Sequence, residues 1–196
     1  MIKPNRILAI INPISGVASK SRIPELLAEA YNEREEELLI TYTKGEGHAT
    51  RLVKEAIENN IDSIIAVGGD GTINEIASAL HGSQVKMGII PKGSGNGLAR
   101  ALNLPLSSDA EAVRVITEGY TTAIDTGVVD GKPFFCTCGV GFDAEMTKRY
   151  AETSRRGLLT YIKAAIDEYI AFRPQQYRIT IDGEIIETKA FLVTAA

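Results

Sequence analysis

Ile64-Ile65-Ala66-Val67-Gly68-Gly69-Asp70-Gly71-Thr72-Ile73-Asn74-Glu75 is the stretch on which the reading of the whole chain turns. Its four apolar residues predict a strand buried on both faces of a parallel sheet. The glycines after it allow a sharp turn at the strand's carboxyl end, where Cβ atoms would obstruct a close ligand. Gly71 and Thr72 then predict the cap of a helix that continues through Asn74, Glu75, Ile76 and Ala79. A glycine turn opening onto a helix N-terminus presents N–H groups and the positive end of a dipole, a setting that suits phosphate. Open α/β sheets also bind ligands at the carboxyl ends of their strands. An acid at position 70, inside such a turn, points to a metal–nucleotide complex or a hydroxyl to be activated.

Outward from this stretch the pattern repeats. Arg6 to Ile11 is a strand of the same apolar kind and runs into Asn12-Pro13-Ile14-Ser15-Gly16. Ile23 to Arg34 reads as a helix, with Ile23, Leu26, Leu27 and Ala30 on one face. Leu38 to Thr43 is a second strand, followed by Lys44-Gly45-Glu46-Gly47-His48 and a helix from Ala49 to Asn60. Asp62 to Val67 is the third strand. Val85 to Ile90 is the fourth, and Pro91-Lys92-Gly93-Ser94-Gly95-Asn96-Gly97 follows it. Helices are expected from Leu98 to about Asn103 and from Ser108, a capping residue, to Gly119. Strands alternating with helices predict parallel βαβ units with right-handed crossovers.

Near Thr121 the pattern changes, and a domain boundary is placed there: an α/β nucleotide-binding domain over 1–120, and a partial β-rich domain with one long helix over 121–196. Ala123 to Val129 reads as a strand, Asp130-Gly131-Lys132 as a hairpin turn, and Pro133 to Gly139 as the antiparallel return. Asp143 to Arg173 is expected to be largely helical. Tyr177 to Ile181, the turn Asp182-Gly183, and Ile185 to Ala195 predict a second hairpin. The last strand, Ala190 to Ala196, would leave sheet edges unpaired. The chain therefore reads as a fragment of a longer protein.

Composition narrows the function classes. The 196 residues are 44% hydrophobic and 23% charged, as in an ordinary globular protein. A formal net charge of −4 carries no nucleic-acid footprint. No apolar run approaches a membrane span, and the N-terminus lacks a signal-peptide core, so a cytoplasmic protein is expected. Cys136 and Cys138 are the two cysteines. They cannot close a zinc site alone and read as buried thiols in a reducing compartment.

Three glycine-bearing turns, Asn12 to Gly16, Gly68 to Thr72 and Gly93 to Gly97, follow three apolar strands. In a parallel sheet they would gather at one edge, which favours a phosphate-rich ligand over turns made simply for folding. No G-x-x-x-x-G-K-[ST] occurs, so the site is not a P-loop. Gly139-Val140-Gly141-Phe142-Asp143-Ala144 fits a dinucleotide fingerprint but lies outside any βαβ unit, and reads as a tight turn at a strand end. Asp70 is either a capping carboxylate or a catalytic group, and its place between two glycines favours catalysis. Asp125 interrupts an apolar segment, and a buried carboxylate there would need a partner, with Asp70 a candidate. His48 and His81 lack ligand spacing and read as structural or solvated. The pair Arg155-Arg156 reads as surface, and the apolar stripe of the long helix as core.

Asn12-Pro13-Ile14-Ser15-Gly16, Gly68-Gly69-Asp70-Gly71-Thr72-Ile73-Asn74-Glu75 and Pro91-Lys92-Gly93-Ser94-Gly95-Asn96, in this order and spacing, resemble the diacylglycerol kinase catalytic-domain family, which includes bacterial lipid kinases and sphingosine and ceramide kinases. The likeness extends through Ile124-Asp125-Thr126-Gly127, Gly141-Phe142-Asp143-Ala144 and Arg156-Gly157-Leu158-Leu159-Thr160-Tyr161. It implies a Rossmann-like, phosphofructokinase-like α/β domain followed by the start of an antiparallel β-sandwich. It also implies transfer of the γ-phosphoryl group of Mg-ATP to a lipid hydroxyl, with ATP and Mg²⁺ as cofactors. By this likeness Asn12, Ser15, Gly16 and Thr43 would line the nucleotide. Gly68, Gly69, Asp70, Gly71 and Thr72 would wrap the phosphates, with Asn74 and Glu75 nearby, and Gly93, Ser94, Gly95 and Asn96 would complete the wall. Asp70 and Asp125 resemble the catalytic carboxylates that organise a Mg–water network; the metal ligands themselves stay unassigned.

The likeness has two departures. Gly97 stands where many bacterial diacylglycerol kinases carry Asp, and Ser94 where they carry Thr, a form closer to sphingosine and ceramide kinases. Family members also extend roughly another hundred residues, the scale of a half-domain. The usual catalytic base would lie there, and weak or absent turnover is expected of these 196 residues alone. An NAD kinase-like enzyme fits Gly68 to Thr72 but not Gly93 to Asn96, and a non-catalytic nucleotide- or lipid-binding module is the third reading. The expected partner is a lipid substrate met by transient membrane-surface contact, peripheral at the inner face, with a homodimer left open.

Overall fold

The computed structural model describes residues 5–15, 20–142, 144–145 and 172–196. Gly16, the pair Arg155-Arg156 and almost all of the expected long helix lie outside the described residues. The chain divides into two compact units, Met1–Cys136 and Thr137–Ala196, so the hairpin that follows Thr121 belongs with the first.

The first unit is built on four strands, β1 (Arg6–Ile11), β2 (Glu37–Tyr42), β3 (Ser63–Gly68) and β4 (Lys86–Pro91). They form one parallel sheet in the order β2-β1-β3-β4. In register, Ile11 lies beside Tyr42 and Val67, and Gly68 beside Pro91. The strands therefore end in a row. Five helices cover the sheet: α1 (Ile23–Tyr31), α2 (His48–Glu58), α3 (Asp70–Leu80), α4 (Gly97–Ala101) and α5 (Asp109–Thr117).

Alternation along the strands sorts the core into two layers. Ile10, Ile64, Ala66 and Ile89 pack with Val53 of α2, Ile73 and Ile76 of α3, and Ala99 of α4. Ile7, Ala9, Ile11, Ile65, Val67 and Ile90 pack with Ile23 and Leu27 of α1 and Val113 of α5. Each fully buried isoleucine contributes roughly 1.5–3 kcal/mol by leaving water. Adjacent strands β1 and β3 thus bury opposite-facing residues alternately, which is why their sequences read as unbroken apolar runs.

Within the first unit, the start of α3 and the start of the hairpin differ from the sequence reading. The N-cap of α3 is Gly69, with extended backbone, and Thr72 already lies inside the first turn. Its hydroxyl is used elsewhere, as described below. The strand expected from Ala123 begins only at Gly127: residues 121–126 are exposed and pair with no strand. β5 (Gly127–Val129) and β6 (Lys132–Phe134) form the predicted hairpin. Asp130 and Gly131 both have positive φ, 48° and 74°, which suits the twist of a two-residue hairpin loop.

In the second unit, β7 (Cys138–Gly141) does not continue the return leg of β6. β8 (Gln175–Ile181) and β9 (Glu184–Ala190) make the expected hairpin around Asp182-Gly183. β10 (Leu192–Ala195) pairs antiparallel with β7, so the final strand has a partner. Gly141 ends β7 at φ 102°, and a Cβ there would meet the Phe191 carbonyl oxygen at 2.6 Å. That close crossing explains the Gly-Val-Gly sequence without a dinucleotide. Phe191 stacks on Phe142 and Phe172, with ring centroids 4.8 and 5.0 Å apart.

Candidate functional site

The strand order reverses direction between β1 and β3, since β1 leads to β2 on one side and β3 to β4 on the other. Such a switch leaves a crevice at the carboxyl edge. Asn12 and Gly68 flank it. Asn12 Nδ2 donates to Thr72 Oγ1 at 2.8 Å, tying the turn after β1 to the first turn of α3 across the crevice. The Asn12 side-chain oxygen accepts from Ile14 N, and Ser15 Oγ donates to the Asn12 carbonyl, so the turn is closed on itself. Thr43, at the end of β2, is buried and donates its N–H to the Ile11 carbonyl.

The turns after β3 and β4 are interlocked. A Cβ on Gly93 would lie 2.8 Å from the Gly69 Cα and 2.9 Å from Asn96 Oδ1. A Cβ on Gly95 would lie 2.8 Å from Asp70 Oδ2. The backbones therefore touch, and these glycines are required by turn-on-turn packing. Sequence alone assigns all of them to ligand approach. That role fits Gly71, which is exposed and where an added Cβ would meet nothing within 4 Å. Asn96 is buried in the left-handed region at φ 54°, its amide bridging the N–H and carbonyl of Gly93 at 2.8 Å each. Arg100 Nε donates to the Gly95 carbonyl.

The acids of α3 serve its neighbours. Asp70 Oδ2 accepts from Asn96 N at 2.8 Å and Oδ1 from Gly97 N at 2.6 Å, which caps α4. Glu75 Oε1 accepts from Thr50 N at 2.9 Å and from Thr50 Oγ1, which caps α2, whose own N-cap is Gly47. The N-terminus of α3 receives no such service. Its N-cap is a glycine, and among the described residues no side chain accepts from its first-turn N–H groups. Those donors are unfilled within the helix by construction. Eleven residues of aligned dipole stand behind them.

On the α1/α5 side of the same edge lie two lysines. Lys92, directly after β4, is buried and paired with Asp109 at the start of α5. Lys20 donates from Nζ to the Ser15 carbonyl. Burial, and then the Lys92 charge, hold its ammonium below the usual lysine range.

Of the residues singled out from sequence, Asn12, Ser15, Thr43, Gly68, Gly69, Asp70, Gly71, Thr72, Gly93, Gly95 and Asn96 are thus brought to one edge. Ser94 is exposed at the tip of the third turn, and Asn74 is exposed on α3. Asp125 is not brought in. It is exposed in the segment before β5 and bonds to no described residue. The expectation of a buried carboxylate paired with Asp70 therefore does not hold. The neighbouring Thr126 Oγ1 meets His81 Nε2 at 3.2 Å, and the His81 ring stands edge-on to Phe135, a structural contact. Sequence reading misses Thr50, Lys20 and the Lys92–Asp109 pair. Only Lys92 carries a signal, as a charge at the end of an apolar strand.

Comparison with known proteins agrees with this architecture. The family model of the diacylglycerol kinase catalytic domain matches residues 6–129, and that of the YegS C-terminal NAD kinase beta sandwich-like domain matches residues 136–196. A diacylglycerol kinase of Bacillus subtilis is 33% identical over 192 residues, which cover 94% of this chain and 63% of that protein. A probable lipid kinase, YegS-like, of Serratia proteamaculans is 32% identical over 163 residues, covering 81% of this chain and 52% of that one. The crystal structure of a diacylglycerol kinase from Bacillus anthracis is similar with a TM-score of 0.72 and 29% identity, covering 99% of this chain and 64% of the other. The chain spans less than two thirds of the length of these relatives.

Proposed function

Because the chain belongs to the diacylglycerol kinase catalytic-domain family, we propose that it forms the nucleotide-holding part of a lipid kinase that transfers the γ-phosphoryl group of ATP to a diacylglycerol or sphingoid-type hydroxyl. The observation that carries this reading is the uncapped N-terminus of α3 at the switch point, beside helices whose N-termini are filled by Asp70 and Glu75. Phosphate oxygens are the ligands that such donors accept. The open space at Gly71 lets them approach the backbone.

Phosphoryl transfer asks a protein mainly for positioning and for donors aimed at the charged oxygens. In this reading the acceptor hydroxyl oxygen forms the new bond to the γ-phosphorus while the bond to the β,γ-bridging oxygen breaks, ADP leaves, and the hydroxyl proton is released to water. The α3 donors hold the phosphates, and the interlocked turns keep the site from deforming. Mg²⁺ fits the residues present. It is held by one or two carboxylates together with phosphate oxygens and water. Asp70 is exposed, and each of its oxygens accepts one N–H, leaving a lone pair on each. Bound there, the ion would neutralise charge on the phosphates.

The test is ATP binding by calorimetry, followed by transfer of radiolabelled γ-phosphate to diacylglycerol, sphingosine, ceramide and NAD by this chain and by a longer family member carrying its residues 5–142. Saturable ATP binding by both is expected, with label on a lipid from the longer protein and little or none from this chain alone, and both signals are lost in Asp70→Ala. Asp125→Asn asks separately whether that acid acts in the reaction. Absence of ATP binding would overturn the reading, and label on NAD alone would move the acceptor to a dinucleotide.

A further inference from the structure

We propose that Lys20 is an anion-binding residue of the site, donating its charged N–H groups to the phosphate chain of the ligand held at the turn after β1. The inference rests on the nucleotide reading above and adds to it a residue that no sequence motif marks. Lys20 Nζ is anchored to the Ser15 carbonyl, which fixes the ammonium against the turn that Asn12 ties to α3. Among the described residues no carboxylate lies within ion-pair distance of it, whereas its neighbour Lys92 is neutralised by Asp109. Lys92 is balanced by Asp109, while Lys20 has no acid of its own among the described residues.

That charge is costly to keep. An ammonium taken partly out of water keeps its three donors and wants acceptors for each. The Ser15 carbonyl fills one. Burial, and then the Lys92 charge, hold the Lys20 ammonium below the usual lysine range. An anion relieves both effects at once. α1 follows the turn after β1, and Asp109 at the start of α5 pairs with Lys92 directly after β4, so both helix N-termini lie at this edge and their dipoles add to the same preference. A solely structural lysine, holding Ser15 in place, would need the donor and not the charge.

That distinction sets the experiment. Binding of inorganic tripolyphosphate and of ATP is measured by calorimetry on the 196-residue chain and on Lys20→Gln, Lys20→Met and Lys20→Arg. Glutamine keeps an N–H for the Ser15 carbonyl and removes the charge. Lys86→Gln, at the opposite edge at the start of β4, removes an equal charge as a control. Loss of one charged hydrogen bond predicts about a tenfold or greater weakening of tripolyphosphate binding in Lys20→Gln and Lys20→Met. Lys20→Arg and Lys86→Gln are expected to bind like the parent, and thermal midpoints to stay together. If Lys20→Gln does not fold, Lys20→Met decides. Unchanged tripolyphosphate and ATP affinity in the neutral variants would overturn the role of Lys20 and leave the nucleotide reading standing. Lys20-dependent tripolyphosphate binding that ATP does not compete with would overturn the nucleotide reading and keep the anion site. A chain that binds neither compound refutes both.

Discussion

The N-termini of α2 and α4 and that of α3 begin in much the same way, after a glycine or an asparagine at the carboxyl edge of one sheet, yet they end up in opposite states. α2 and α4 are filled by carboxylates that reach across from α3. α3, which supplies both, keeps its own first-turn donors uncapped. A fold that needed only stability would cap the central helix first, since a cap contributes about 1 kcal/mol. The asymmetry teaches that capping here is distributed around one helix end left uncapped, the end to which the proposed function assigns the phosphates. It also separates two kinds of glycine that look identical in sequence. Gly69, Gly93 and Gly95 are small because backbone or carboxylate lies against them, whereas an added Cβ at Gly71 would meet nothing, which leaves the room that the proposed ligand requires.

The contrast can be broken most forcefully at Gly93. Alanine there drives a Cβ into the Gly69 backbone and into Asn96 Oδ1, an atom held in place by burial and by the two hydrogen bonds of its amide to Gly93. Gly93→Ala is expected to lower unfolding stability by about 3 kcal/mol, read as a shift of the urea midpoint. A loss of under 1 kcal/mol would show that the turns are not interlocked.

Asp70→Asn comes next. One of its two acceptors becomes an NH₂ facing a backbone N–H, and the charge is lost. A destabilisation of about 1–2 kcal/mol is expected. Hydrogen exchange should accelerate at the Asn96 and Gly97 amides ahead of the rest of the chain. Unchanged exchange there would deny Asp70 its capping role and return it to purely ligand-directed duty.

Glu75→Ala removes the cap of α2 and should cost about 1 kcal/mol, with ATP affinity within threefold of the parent. A larger fall in ATP affinity than in stability would make Glu75 a ligand residue after all. Gly71→Ala carries the smallest change in stability, a gain of up to about 0.5–1 kcal/mol, because a helix favours alanine and the space is open. The same variant is expected to bind ATP at least several-fold more weakly. A stabilised variant with full affinity would mean that Gly71 is open for no ligand.

Much of this is legible in the chain. Apolar runs such as Ile64 to Val67 carry the parallel sheet because burial on both faces removes the usual alternation. Ser108 marks the start of its helix, and its hydroxyl does accept from Glu111 N. The edge at which the turns gather follows from alternation of strands and helices alone. What sequence does not carry is pairing between distant residues. Thr50 and Glu75 are 25 positions apart, and nothing local in either says that one fills the helix end of the other. Asp125 misleads for the converse reason: an acid beside Ile124 suggests burial, but no strand forms there to bury it. Lys20 is invisible because a lone lysine is ordinarily a solvated surface residue.

The contact between Gly69 and Gly93 has a consequence for how the protein can vary. Most tight contacts in a core can be relieved from the other side, since a bulkier residue at one position is accommodated by a smaller one opposite. Here each partner is already glycine, and what it presents is main chain. A change at one position has no compensating change at the other. The two codons are locked together without being able to covary, and any route away from this pair passes through a rebuilt turn.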